Sequence, residues 1–574
     1  MLPGLSGLEK SLRDPEFPVR VRAAVDIRHY LRNERAAAQI KPNVADLLKL
    51  LFTLLDDIDN TDLVATIDQV ILRFGDDIVP FALELCSRLV KAFSRTASAE
   101  QGDDEACYAA TQCLHTLDSI VATVSLSNLT GTIPLLAEIE RMTFTIFDRM
   151  FDDERMELFE DTLGLLATFV HYSGRERGFH LRECAEAGVE PHKAVLGLPA
   201  TPDQEYPLQV VVQNSVLRQA VEVDALKGRG AVSPALWSFF PRAMHAFHEW
   251  AHENCTYYIH FLQAYLSRSP RVFMVDQEAK ESPVQLLLGM ISFLWDGARI
   301  RDLDCAVTGS YLVALFLQHS RHLEGVSIDR EIAVLSQLLV REIRAWPQVE
   351  YVVAPLLRSL SHLLYISPIV TLTAIDKVPG CMEDVFTLWV SRVRENHMDW
   401  WYDRRCSAIA LTSILGSDWN SVPSSIRQSI PELLRTIVQI LDVPLTAPSG
   451  NALTGVDENI DEGSVGGPLA GISSGSALGC LPGADIEGSE GDGDDLSPPP
   501  MNGAPPANRS DDGEDLMFSL LREVDELLFF ESVIQRLPPS ASQQLERAIP
   551  MQDNKRVQCT LHRAAELRRA RLIT

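Results

Sequence analysis

Basic residues are scarce in this chain: 51 Lys and Arg stand against 79 Asp and Glu, a formal net charge of -28 over 574 residues. Such a surface repels nucleic acid and anionic membranes and steers basic partners toward it, which argues against nucleic-acid binding as the main activity. Long apolar runs are lacking as well; none approaches the ~20 residues that a membrane-spanning helix needs. The N-terminal stretch MLPGLSGLEKSLRD has no basic segment followed by an apolar one and does not read as a signal peptide. The ten cysteines have no CxxC spacing, and the closest pair is Cys107 and Cys113. That scatter fits a reduced cytosolic or nuclear protein rather than a disulfide framework, so the sequons at Asn128 and Asn508 are expected to stay unmodified. Alternating strand patterns are few outside 207–223.

What the chain does have is helical periodicity. Hydrophobic residues make up 46% of the chain, enough for a large interior. From Asp14 to about Gly174, apolar residues recur at three- and four-residue spacing with short polar breaks. Leu47, Leu50, Leu51, Leu54 and Leu55 form one stripe, and Leu63, Ile67, Val70 and Ile71 another. A third runs Leu83, Cys86, Leu89, Val90 and Phe93, after a start at Pro80. Helical patterning resumes at Ser233-Pro234 and includes 283–297, 303–319, 329–344, 350–366, 382–394, 403–415 and 425–441. Pairs of helices about forty residues long are the mark of HEAT or armadillo arrays, in which each pair must stack on its neighbours to bury its apolar face. The fold class expected is therefore all-α, a HEAT/armadillo-type α-solenoid winding as a right-handed superhelix, with a disordered acidic segment.

Two stretches break the pattern. Residues 175–231 lack a sustained helical period and are rich in Gly, Pro and charge. Residues 445–515 are of low complexity, and between Asp457 and Asp515 fourteen acids face one base, Arg509. That segment has too little apolar content to pack a core. Five regions are thus expected: helical repeats at 1–174, an irregular insert at 175–231, repeats at 232–444, an acidic linker at 445–515 and a helical C-terminal segment at 516–574. Within the last, 516–536 reads as one amphipathic helix and 554–572 as a basic one, able to fold back on the acidic linker or to stand solvated.

Catalytic signals are thin. His248-Glu249-Trp250-Ala251-His252 matches HExxH, a pattern that binds zinc when both histidines share a helix face. The positions where a metzincin continues hold Cys255 and Tyr258, Glu278 follows an irregular stretch, and the neighbours Phe247, Trp250 and Ala251 read as repeat core. No GxSxG elbow or phosphate-binding glycine loop is present. No catalytic, metal or cofactor residue is assigned, and the chain is read as a non-enzyme.

Asp14-Pro15-Glu16-Phe17-Pro18-Val19-Arg20-Val21, Asp62-Leu63 through Val79-Pro80, Ser233-Pro234-Ala235-Leu236-Trp237, Leu363-Leu364-Tyr365-Ile366-Ser367-Pro368 and Asp403-Arg404-Arg405 together resemble, in that order, the importin-β superfamily. The likeness is to its importin-seven/importin-eight subgroup and covers roughly 14–174 and 232–574. It implies a nuclear transport receptor that shuttles between cytoplasm and nucleus through the nuclear pore. Implied partners are basic, ribosomal-protein or histone-like cargo, Phe-Gly nucleoporins in grooves between outer helices, and the GTPase Ran if an N-terminal half exists. Neither direct nucleic-acid contact nor membrane insertion is expected. The likeness also implies that the chain begins where a full-length receptor is near its middle, and that 175–231 is an unspliced intron or lineage-specific insert. The residues expected to meet basic cargo are Asp485, Glu487, Glu490, Asp492, Asp494, Asp495, Asp511, Asp512, Glu514 and Asp515, as a flexible polyanion. A HEAT-type scaffold or chaperone without a transport role is the alternative.

Overall fold

A computed structural model describes residues 5–57, 60–97, 104–127, 132–153, 156–186, 232–275, 281–296, 302–394, 401–442, 520–521 and 524–571. Among these residues there is no β-strand. The chain forms two units, Met1–Leu388 and Trp389–Thr574, so the division falls inside a helix, Cys381–Arg394, and not at the breaks in the sequence pattern.

The first unit is built from α1 (Leu5–Leu12), α2 (Phe17–Leu31), α3 (Glu34–Ile40), α4 (Val44–Asp57), α5 (Thr61–Phe74), α6 (Ala82–Thr96), α7 (Asp104–Leu126), α8 (Thr132–Asp153) and α9 (Met156–Glu186). It continues with α10 (Pro234–Glu249), α11 (Tyr258–Arg268), α12 (Pro283–Leu294), α13 (Leu303–Ser320), α14 (Asp329–Ala345), α15 (Glu350–Ile366), α16 (Pro368–Asp376) and the start of α17 (Cys381–Arg394). Several starts carry a capping side chain that satisfies amides the helix itself leaves open. Asn33 accepts from the Arg35 and Ala36 amides, Asn60 from Leu63, Ser233 from Leu236 and Asp302 from Asp304.

These helices stack as two layers. In one layer, α2, α5, α7, α9, α11, α13 and α15 each pack on the next; in the other, α4, α6, α8, α10, α12, α14 and α16 do the same. Consecutive helices such as α6 and α7, α8 and α9, or α14 and α15 pair between the layers. The contacts recur at repeat spacing: Arg88 reaches the Phe52 carbonyl 36 residues back, Arg95 the Leu55 carbonyl 40 back, and Ser359 the Ser310 carbonyl 49 back. The unit is an α-solenoid array of HEAT/armadillo type.

Burial follows the stripes. Leu63, Ile67, Val70 and Ile71 are wholly inside, as are Cys86, Leu89 and Phe93. Each such large apolar side chain contributes roughly 1.5–3 kcal/mol through its removal from water. Leu83, placed on the same stripe in sequence, is instead exposed, because α6 begins only at Ala82 and its first turn points Leu83 away from both layers.

The array runs on across 175–231. Phe147 and Phe151 on α8 pack against Phe239 on α10, and Phe159 on α9 packs against Tyr258 on α11. Arg242 on α10 reaches Asp148 on α8 over 94 residues, an offset that exceeds ordinary repeat spacing by about the length of that stretch. The helix α9 continues to Glu186, twelve residues beyond the expected end of the array; Arg, Glu, Leu and Ala in RERGFHLRECAE sustain helix despite Gly174 and Gly178. The candidate strand at 207–223 lies outside the described residues.

The second unit contains the end of α17, α18 (Trp401–Leu415), α19 (Ser424–Leu441), α20 (Glu526–Arg536), α21 (Pro539–Ala548) and α22 (Met551–Arg571). Here α18 pairs with α19, α20 packs on α18, and α22 packs on both α19 and α20. Helices from either side of the acidic stretch therefore share one core. Of the expected helix at 516–536, Leu520 and Leu521 are helical and α20 begins at Glu526, where the Asp525 carboxylate caps it by accepting from the Leu528 amide; 516–519 and 522–523 lie outside the described residues. The basic tail is not a free helix. Arg563 donates to the Leu441 carbonyl at 2.9 Å, Arg568 pairs with Glu531 at 2.8 Å and Arg571 with Asp525 at 2.6 Å. The acidic linker at 445–515 lies outside the described residues.

Candidate functional site

The HExxH sequence does not have zincin geometry. Helix α10 ends at Glu249; Trp250 turns to φ -149°, and His252 opens a separate 3₁₀ turn that runs to Tyr257. The two histidines consequently do not sit one turn apart on a single helix. Both imidazoles rest on the Phe293 ring of α12, at centroid separations of 5.3 and 5.9 Å. They fill the seam between α10 and α12. Among the described residues, no group of three or more His, Cys, Asp or Glu could hold a metal ion. Glu278 lies outside those residues, as do all ten acidic residues expected to meet cargo, Asp485 through Asp515.

One open groove lies on the first unit. It lies between α14 and the start of α17, lined by Ile343, Arg344, Pro347, Asp384, Val385 and Leu388, with a volume of about 310 Å³. Ile343 and Val385 are fully buried and form its floor, while Leu388 is half-buried at one wall. Arg344 and Asp384 close the rim with a 2.9 Å ion pair. The Arg344 guanidinium also donates to the Pro379 carbonyl at 3.1 Å, which holds it over the groove. The turn that delivers Asp384 is made at Gly380, whose φ of 75° favours glycine. Its volume is at the low end of the ~300–1,000 Å³ range of ligand pockets, and its rim is charged.

Sequence reasoning did not single out these residues. Their signal was the repeat itself: Arg344 and Asp384 lie about one repeat apart, and the array brings them together. Which repeat would leave a groove open rather than filled depends on side-chain packing, and periodicity does not report that.

The architecture defines a class: an all-α helical-repeat protein of HEAT/armadillo type. Comparison with known proteins narrows it. The chain is 21% identical over 431 residues to a probable importin-7 homolog of Dictyostelium discoideum, covering 75% of this chain and 34% of that protein. It is 21% identical over 440 residues to an importin beta-like SAD2 homolog of Arabidopsis thaliana, covering 75% and 36%. Importin-8 of Mus musculus matches at 24% over 161 residues, 27% of this chain and 15% of that protein. The chain thus spans about a third of the length of the first two of these relatives. No family model matches it, and no solved structure does either. These similarities support an importin-β superfamily member of the importin-7/importin-8-like kind.

Proposed function

We propose that the chain binds protein cargo for import through the nuclear pore, as the cargo-side portion of a transport receptor that shuttles between cytoplasm and nucleus. The observation that carries this reading is the similarity to importin relatives along three quarters of the chain. In this reading the groove of Pro347, Val385 and Leu388 is where the Phe of a Phe-Gly repeat docks. The reading assigns no catalysis. Ran enters only through an N-terminal half.

Cargo in this reading is basic, of ribosomal-protein or histone type. The carboxylates from Asp485 to Asp515 carry long-range attraction for it and shield it from nucleic acid. Two measurements test the proposal. The intact chain is passed over beads carrying a Phe-Gly nucleoporin segment; retention is expected, and Pro347→Glu with Leu388→Glu should lose it. A wild-type chain that is not retained would point instead to a scaffold without a transport role. Titration against a fluorescent basic ribosomal protein should show salt-sensitive binding that weakens when the ten named acids become Asn and Gln.

A further inference from the structure

We infer that Cys255 and Cys305 are a paired site of oxidative modification, closing to a disulfide that bolts two neighbouring repeats together. Their sulfurs stand 3.7 Å apart although the residues are 50 apart in sequence. Cys255 sits in the 3₁₀ turn His252–Tyr257 between α10 and α11, and Cys305 is the third residue of α13, behind the Asp302 cap. Thr308 Oγ1 lies 3.6 Å from the Cys255 sulfur, placed to donate to it once the thiol ionises.

The pair also has an order of ionisation. The contact between the two sulfurs, in which either can donate, holds Cys255 below the ordinary thiol range, while the same partnership and burial push Cys305 above it. Cys255, on the irregular turn that opens, is taken as the attacking thiolate and Cys305, held in the first turn of α13, as the resolving thiol.

Both sulfurs are nearly buried, so the oxidant must be small and neutral, such as hydrogen peroxide, and the turn must open briefly to admit it. That turn is a weak point of the backbone. It is a 3₁₀ segment, and Asn254 departs from helical geometry at φ -90°, ψ 23°. The Cys255 thiolate attacks one peroxide oxygen; an S–O bond forms, the O–O bond breaks, and hydroxide leaves and takes up the proton that Cys255 had lost. The Cys305 sulfur then attacks the Cys255 sulfur. The S–S bond forms, the S–O bond breaks, and the Cys305 proton leaves with the second hydroxide as water. Two thiols lose two electrons, and one peroxide becomes two waters. Closure to the ~2.05 Å of a disulfide asks for about 1.7 Å of approach, within reach of side-chain rotation and a small shift of the turn.

The test uses the full chain, reduced and then exposed to limiting hydrogen peroxide, with denaturing alkylation and peptide mapping. The expected result is a Cys255–Cys305 cross-linked peptide, the loss of two alkylatable thiols at those positions, and reversal by dithiothreitol. In Cys305→Ser the cross-link should vanish and Cys255 should accumulate as a dimedone-reactive sulfenic acid. The exposed Cys559 reports that oxidant was present. Full alkylation of Cys255 and Cys305 in the wild-type chain after Cys559 has been oxidised would overturn the inference. So would a Cys255 disulfide to any other cysteine.

Discussion

Ser233 Oγ donates a 2.6 Å hydrogen bond to the Glu140 carboxylate in a buried site, 93 residues back along the chain. The same hydroxyl accepts from the Leu236 amide at 3.1 Å, so one atom both caps α10 and anchors it to α8. This is the first turn of the chain after 175–231, and it docks where the next helix of the array belongs. Replacing Ser233 by Ala removes a cap worth ~1 kcal/mol and one buried partner of a carboxylate, worth about 1–3 kcal/mol more. Urea denaturation of Ser233→Ala should show a loss of about 2–3 kcal/mol. Ser233→Thr keeps the hydroxyl and should lose less than half of that. Equal stability of all three chains would mean that this junction does not hold the array together.

Gly309 and Trp295 define a second pressure point. A Cβ on Gly309 would stand 2.4 Å from the indole Nε1 of Trp295 and 2.7 Å from Cε2. The indole is buried, and its N–H donates to the Ala306 carbonyl at 3.0 Å. Gly309→Ala must therefore displace a ring held on two sides, with an overpacking cost of about 1–3 kcal/mol. Thermal denaturation should show a lowered midpoint, and Trp295→Leu in the Gly309→Ala background should restore part of it. Strict additivity of the two substitutions would refute the contact.

These two contacts mark what the sequence did and did not make legible. Helix existence follows from spacing alone: the stripes at 283–297, 303–319 and 329–344 match α12, α13 and α14 closely. The short α16 and α21 were missed, because Pro368–Asp376 is apolar nearly all round and Pro539–Ala548 has few apolar residues. Neither presents a clear stripe. Non-local pairs such as Glu140 with Ser233, or Arg568 with Glu531, have no local signature, since each partner looks like an ordinary polar residue of its own helix. The groove of Ile343 and Val385 was hidden for the same reason: both read as core, and only the assembled layer leaves space beside them.

Glu331 provides a test by pH. It is buried near the start of α14, and burial raises its pKa above the usual carboxylate range, against its own backbone amide and Arg330, which favour the charged form. A raised folded pKa means that the native state holds the proton longer than the unfolded chain does. Stability then falls as pH rises from ~4.3, the unfolded value, through the folded one, and stays lower above it. Glu331→Gln cannot ionise. Its stability advantage over wild type should be near zero below about pH 4 and should grow to a plateau at higher pH, as read from urea midpoints. A difference that does not change with pH would sink the assignment.

His362 slopes the other way. It is fully buried on α15, and burial together with the charges of Arg358 and Arg321 pushes its pKa down to about 3. The unfolded chain takes up that proton near pH ~6.5, so the stabilising effect of a neutral native imidazole is complete above that value and is lost as pH falls toward 3. Between pH ~7 and ~5 this one group should remove about 2 kcal/mol. His362→Gln should flatten the wild-type dependence over that interval. An unchanged slope would show that the imidazole is protonated, or exposed, in the native state.

Arg405 joins the two parts of the second unit. Its guanidinium pairs with Glu526 at 3.2 Å and donates to the Val524 carbonyl, and both charged side chains are mostly buried, at 16% and 12% exposure. Burial raises the Glu526 pKa, and the attraction of Arg405 opposes that rise. Arg405→Ala leaves the carboxylate buried without this counter-charge, a change that costs about 3–5 kcal/mol in comparable settings. Because α18 holds Arg405 while Glu526 begins α20, the loss should be local before it is global. Hydrogen exchange by mass spectrometry on the full-length variant should show faster exchange in Glu526–Arg536 and Met551–Arg571, with α13 and α15 unaffected. Lysine lacks the fork that serves carboxylate and carbonyl together, so Arg405→Lys should recover only part of the protection. Wild-type exchange across α20 and α22 in Arg405→Ala would mean that apolar packing alone seats the C-terminal helices.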